Sequence, residues 1–208
     1  MVGIEPWLCY QSMTVGRRDG LVNLIITHGA GSNRNAPLLV ALERELIGKD
    51  VTVIRYDLPF RQARSSGPPR PSEAALDRAG LREQAVLARA RGGVVWLGGL
   101  SYGGRQASML AAESPDVADG LLLLSYPLHP PGKPAQQRTA HLPQIRIPVL
   151  MIQGTKDPFG SPEEMSAALT LLGGRRRLAM IPGAGHDLGR DRVAAARTIA
   201  GEFLEFIY

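Results

Sequence analysis

Aromatic side chains are scarce in this chain, at 5% of 208 residues, so a hydrophobic core has to be built mainly from Leu, Val, Ile and Ala. Cysteine is nearly absent. The single thiol, Cys9, excludes an intramolecular disulfide framework and any zinc site made of paired cysteines, and it suits a reducing, cytoplasmic setting. With no partner motif around it, Cys9 reads as an ordinary small side chain. No run of about 18 apolar residues occurs, so no segment reads as a membrane span. Met1 to Tyr10 carry Glu5 and Pro6 where a secretory signal would need a basic start and then an apolar stretch. Cofactor motifs are missing as well. Gly29-Ala30-Gly31 is no dinucleotide fingerprint, because Arg34 stands where the third glycine belongs. There is no Gly-Lys-Ser/Thr phosphate loop and no His-Glu-x-x-His, and the four histidines are scattered, so neither a cofactor nor a metal is expected.

What is present is the composition of a globular protein, 44% hydrophobic and 21% charged, in a length that suits one domain over residues 1–208. The net charge of +5 raises the question of nucleic acid. The excess is local. Arg61, Arg64, Arg70, Arg78, Arg82, Arg89 and Arg91 face only Glu73, Asp77 and Glu83 in the same stretch. No aromatic residues are interleaved for base stacking, so the stretch reads as a solvated helix face and a loop, with no nucleic-acid partner.

Short apolar runs alternate with amphipathic ones. Strands are expected at Leu21–Thr27, Val51–Tyr56, Val94–Leu100, Leu121–Ser125, Val149–Gln153 and Leu178–Ile181. Most are continuous runs, which implies burial on both faces and hence a parallel sheet covered by helices. The spacing predicts helices over Pro37–Ile47, Ser72–Arg91, Arg105–Glu113, Pro162–Leu172 and Asp191–Phe206. This rhythm gives an α/β fold with a doubly wound, mostly parallel sheet, whose site lies at the carboxyl ends of the strands. Between Tyr126 and Pro148 six prolines oppose regular structure, so a surface excursion is expected there and no helical lid.

Gly99-Leu100-Ser101-Tyr102-Gly103 fits G-x-S-x-G, follows an apolar run and opens a helix, the setting of a nucleophile elbow. A serine hydroxyl needs a base, and the base needs a carboxylate to hold its tautomer. In that architecture the order is Ser, acid, His, which removes His28 as the base. His186, in the glycine-rich loop Pro182 to Asp187, is the candidate base. Asp157 is the candidate acid, because Ser161, Pro162 and Glu164 start a helix just beyond it and leave it in the loop at a strand's carboxyl end. Asp187 is a rival, adjacent to His186 in sequence, where neighbouring side chains rarely converge. Backbone donors for a developing oxyanion are expected from Tyr102 and from Ala30 in His28-Gly29-Ala30-Gly31, with Gly31 the alternative to Ala30.

Together with Gly154-Thr155-Lys156-Asp157-Pro158-Phe159-Gly160 and Gly183-Ala184-Gly185-His186-Asp187-Leu188, these motifs resemble the α/β-hydrolase superfamily. Arg55 to Phe60 and Tyr126 to Pro134 are similar to a small group related to the testis-expressed and NSL-complex-subunit hydrolase-like proteins, and dienelactone hydrolases are more distantly alike. The resemblance implies a minimal hydrolase fold, a Ser101, Asp157, His186 triad and no cofactor. Dienelactone hydrolases use a cysteine nucleophile where this chain has Ser101, so their substrate does not carry over. The expected activity is cleavage of small carboxylic esters or thioesters, with short acyl chains preferred. His129, Lys133, Arg138 and His141 in the proline-rich excursion read either as groups that favour a small acidic substrate or, equally well, as the polar residues of a solvated loop. Some relatives serve in assemblies, so a catalytically idle interaction protein is the alternative.

Overall fold

The computed structural model describes residues 21–208, so the readings of Cys9 and of Met1 to Tyr10 lie outside the described residues. Six strands form one sheet in the order β2-β1-β3-β4-β5-β6, every pair parallel: β1 (Val22–Thr27), β2 (Val51–Tyr56), β3 (Val94–Leu100), β4 (Gly120–Leu124), β5 (Val149–Gly154) and β6 (Arg176–Ile181). The chain winds outward from β1 to β2, returns beside β1 as β3 and continues to the other edge. The switch point therefore falls between β1 and β3, where a crevice opens at the strand ends.

Strand composition follows position. Every residue of β1, β4 and β5 is buried, whereas the edge strands β2 and β6 are mostly half-exposed. Side chains alternate between two cores, as the two-residue period of a strand requires. Leu24 and Ile26 of β1 and Leu122 and Leu124 of β4 join α1 (Pro37–Leu46) and α6 (Arg192–Ile207) on one face. There Trp96 meets Phe203 edge to face, with ring centroids 5.1 Å apart. Ile25, Leu121 and Leu123 point to the other face and pack on α3 (Ala74–Ala90), α4 (Tyr102–Glu113) and α5 (Pro162–Leu169). The scarce aromatics are divided between the two cores: Trp96, Phe203 and Phe206 pack on the α6 face, and Phe60 and Tyr126 are buried on the other.

Differences from the sequence expectation are local. The helix expected from Arg105 begins at Tyr102, because the elbow glycines are helical. β6 starts at Arg176, ahead of its apolar run, since an edge strand tolerates polar residues. A short helix, α2 (Pro59–Ala63), falls below the length at which periodicity can be read. Asp191 caps α6 and Ser161 caps α5, the latter with the reciprocal bond from Glu164. The proline-rich excursion has no helix beyond the single turn Leu142–Gln144, but it is not merely a surface loop. Tyr126, Leu128, Leu142 and Ile145 are fully buried, and the Tyr126 hydroxyl donates to the Arg138 carbonyl at 2.7 Å.

Candidate active site

At the end of β3 the backbone turns sharply into α4, and Ser101 takes φ 52° and ψ −113°. A side chain in that region is strained, and the surroundings over-determine it. A Cβ on Gly99 would lie 2.6 Å from the Gly103 backbone, and one on Gly103 would lie 2.6 Å from the His28 carbonyl oxygen. Only glycine allows β3, α4 and the end of β1 to close on one another here. The result puts Ser101 at the mouth of the β1/β3 crevice.

A second close approach brings the base. A Cβ on Gly154, the last residue of β5, would sit 2.3 Å from the Ala184 carbonyl oxygen, so its absence lets the loop after β6 fold over the strand end. His186 on that loop points its Nε2 at Ser101 Oγ, 2.8 Å away. Its Nδ1 donates to Asp157 Oδ2 at 2.8 Å and approaches Oδ1 at 3.0 Å. With Nδ1 donating, Nε2 is left to accept the serine proton. The Asp157 carboxylate is fully buried and is held by Gln153 Nε2 at 2.8 Å and by the Phe159 N–H at 2.9 Å. Phe159 also stacks on the imidazole at 4.1 Å and limits its swing. Asp187 faces elsewhere: its carboxylate meets Arg192 at 3.0 Å and accepts from the Gly189 N–H, and both hold it below the usual carboxylate range.

Ala30 and Tyr102 line the same cleft as Ser101, while Gly31 is exposed and lies off it. Tyr102 opens α4, so its N–H has no carbonyl within the helix to bond. The phenol is anchored away from the cleft by a 2.7 Å bond to Asp77 Oδ2, whose other oxygen accepts from the Phe60 N–H at 3.0 Å. Burial, and then Asp77, raise the Tyr102 pKa.

Two supporting residues escape sequence reasoning. Arg61 is not solvated but buried, and its guanidinium donates to the carbonyls of Ala30 at 2.9 Å, Ser32 at 2.8 Å and Gly67 at 2.9 Å. It ties the loop after β1 to the segment beyond α2. His28, fully buried, donates from Nδ1 to the Gly29 carbonyl at 2.9 Å and accepts the Leu58 N–H on Nε2 at 3.2 Å. Burial lowers its pKa, so it stays neutral and acts as a spacer between β1 and β2. No pattern in the sequence marks these roles, because the bonds that define them, His28 to the Leu58 N–H and Arg61 to the Ala30 and Ser32 carbonyls, join groups far apart along the chain. Among the described residues no group of three or more His, Cys, Asp or Glu is arranged to hold a metal ion, and no helix is long and apolar enough to cross a membrane.

Residues 21–201 match the alpha/beta hydrolase domain, and the chain belongs to that family. Solved structures share the fold. A dienelactone hydrolase from Anabaena variabilis superposes with a TM-score of 0.71 at 21% identity, covering 92% of this chain and 87% of that one. Est1E from Butyrivibrio proteoclasticus gives 0.66 at 18% identity over 91% and 89% of the two chains. An α/β serine hydrolase without a lid, from Xanthomonas campestris, gives 0.66 at 20% identity over 88% and 82%. At these identities the likeness is one of fold. The six parallel strands, the flanking helices and the absence of a lid among the described residues define the minimal form of that fold.

Proposed function

We propose that the protein is a serine hydrolase that cleaves small carboxylic esters or thioesters through an acyl-enzyme. The observation that carries this reading is the linear run Ser101 Oγ, His186 Nε2, His186 Nδ1, Asp157, with both serine–histidine and histidine–aspartate separations at 2.8 Å on a strained elbow. Ser101 Oγ attacks the acyl carbon while its proton passes to His186 Nε2. The tetrahedral oxyanion is received by the Ala30 and Tyr102 N–H groups. His186 then returns the proton to the leaving oxygen or sulfur as the bond to it breaks, and in the second half water repeats the attack on the acyl-serine. Asp157 keeps the imidazolium oriented and stabilised without taking its proton. The excursion after β4 puts no helical cap over the cleft, which supports small acyl groups over long lipid chains.

Within the family we assign the chain to the testis-expressed and NSL-complex-subunit group on its Arg55 to Phe60 and Tyr126 to Pro134 stretches, and to the cytoplasm on its cysteine usage. A fluorophosphonate probe tests an activated serine with no knowledge of substrate. The expected result is labelling that maps to Ser101 and disappears in Ser101→Ala. A folded wild type that resists the probe would turn the reading toward the idle interaction protein.

A further inference from the structure

The cleft that opens on Ser101 has a volume of about 880 Å³, and four arginines, Arg70, Arg78, Arg105 and Arg138, line it while no acidic residue does. Arg105 follows Ser101 by one helical turn, its N–H donating to the Ser101 carbonyl at 3.0 Å. Its side chain therefore stands on the serine's face of α4, about 6 Å further along the axis. Arg105 Nε is buried with no hydrogen-bond partner among the described residues. Arg138, in the excursion after β4, gives one bond to the Pro127 carbonyl at 3.1 Å. Among the described residues neither Arg105 nor Arg138 forms an ion pair, whereas Arg78 has Glu113 at 3.0 Å.

These charges act on one another. Burial, and then the charge of Arg105, lower the Arg138 pKa, and burial with Arg105 and Arg78 pushes His141 down to about 4. Two half-buried guanidinium groups in a concave wall, with their positive charge unanswered, favour an anion strongly. The other basic residues of the excursion do not contribute in the way the sequence suggested. His129 bonds Glu164 at 3.1 Å and His141 bonds Ser108 Oγ at 2.8 Å, so both are occupied away from the cleft, and Lys133 is exposed.

We propose that Arg105 and Arg138 form a subsite for a carboxylate at the far end of the substrate's acyl chain, so that the natural ester is a monoester of a short dicarboxylic acid. This deepens the hydrolase reading and rests on it for the position of the ester. The planar fork of a guanidinium matches a two-oxygen carboxylate, while the glycine-rich amide cradle that suits phosphate is missing from this wall. The acyl side is assigned because Arg105 stands on α4, whereas His186, which must reach the leaving oxygen, comes from the loop after β6. Prolines and alanines share the lining with the arginines and Ser101 and offer the intervening methylenes apolar wall.

The test compares 4-nitrophenyl adipate monoester with 4-nitrophenyl hexanoate, equal in acyl length and differing by the terminal carboxylate. Adipate is chosen because its extended chain spans about one helical turn. The wild type is expected to favour the adipate ester in kcat/KM by about 10- to 100-fold, with the ratio falling toward 1 in Arg105→Gln and in Arg138→Gln. Arg138→Gln keeps the test intact if a change on α4 disturbs the elbow. Equal kcat/KM values for the two esters in the wild type overturn the subsite and leave the hydrolase reading standing. If neither ester is turned over, calorimetric titration of adipate and of inorganic phosphate into Ser101→Ala decides. Adipate binding that Arg138→Gln abolishes supports the subsite even as the hydrolase reading fails. Absent adipate binding, or preference for phosphate, overturns it.

Discussion

The two walls of the candidate site are built in opposite ways. On the β5 and β6 side the candidate groups are side chains, Asp157 and His186, joined to each other and to Ser101 by bonds of 2.8 Å. On the β1 side the proposed oxyanion donor is a backbone amide, that of Ala30, and side chains hold the backbone still, Arg61 through four carbonyls and His28 through a carbonyl and an amide. A side-chain wall loses its chemistry with one residue. A backbone wall can be loosened only through its supports, and by degrees.

That contrast is broken most severely on the first wall. His186→Ala should lower turnover nearly as far as Ser101→Ala, on the order of 10⁴- to 10⁶-fold, since such groups act as a unit and their losses do not add. Asp157→Asn should cost less, about 10²- to 10⁴-fold, and Asp187→Asn should stay within a few-fold of wild type. Steady-state rates on 4-nitrophenyl acetate give the ranking, and a larger loss for Asp187→Asn than for Asp157→Asn would relocate the acid.

On the second wall, Arg61→Gln should lower kcat and kcat/KM together by about 10- to 100-fold with KM nearly unchanged, because the loss falls on the transition-state oxyanion and not on ground-state binding. Arg61→Lys should recover little, since one ammonium cannot span the Ala30, Ser32 and Gly67 carbonyls. A rise in KM at constant kcat would show that Arg61 shapes the cleft and leaves the amides alone.

The smallest effect separates the walls by pH. His28 and His141 both titrate below 6.5 in the folded chain, His141 near 4, while the unfolded chain takes up their protons near 6.5. The unfolded state therefore binds more protons as the pH falls, and stability present above 6.5 is lost between about 6.5 and 4. His129 works the other way, because the Pro130 carbonyl and then Glu164 raise its pKa. The melting temperature should be flat above pH 7 and decline by a few degrees by pH 5, with His141→Gln flattening the decline. A melting temperature that rises over that interval would place His129 in command.

The same asymmetry governs what the sequence disclosed. Ser101, Asp157 and His186 were legible because each sits in a glycine-bearing turn directly after an apolar run, and the parallel sheet was itself legible because continuous apolar runs imply burial on two faces. The supports were not. Arg61 lies among seven arginines that look alike in one dimension, and only the folded chain distinguishes the buried one from the solvated ones. Arg105 could be read only as the start of an expected helix, since its buried Nε and the approach of Arg138 from 33 positions away are properties of the packed chain. The excursion was misjudged for a related reason: prolines forbid helix and strand, yet they do not forbid burial, and Tyr126 and Ile145 nail it to the core.

The positive φ of Ser101 has a consequence for how such a protein ages in evolution. Glycine would occupy φ 52° without strain, so Ser101→Gly should raise stability by about 1 kcal/mol while removing the hydroxyl. The proposed nucleophile is thus a residue that the fold would give up at a gain. Once demand for its chemistry lapses, nothing in the thermodynamics of folding defends the serine, and a descendant lineage drifts downhill to a sturdier, silent protein of the same shape.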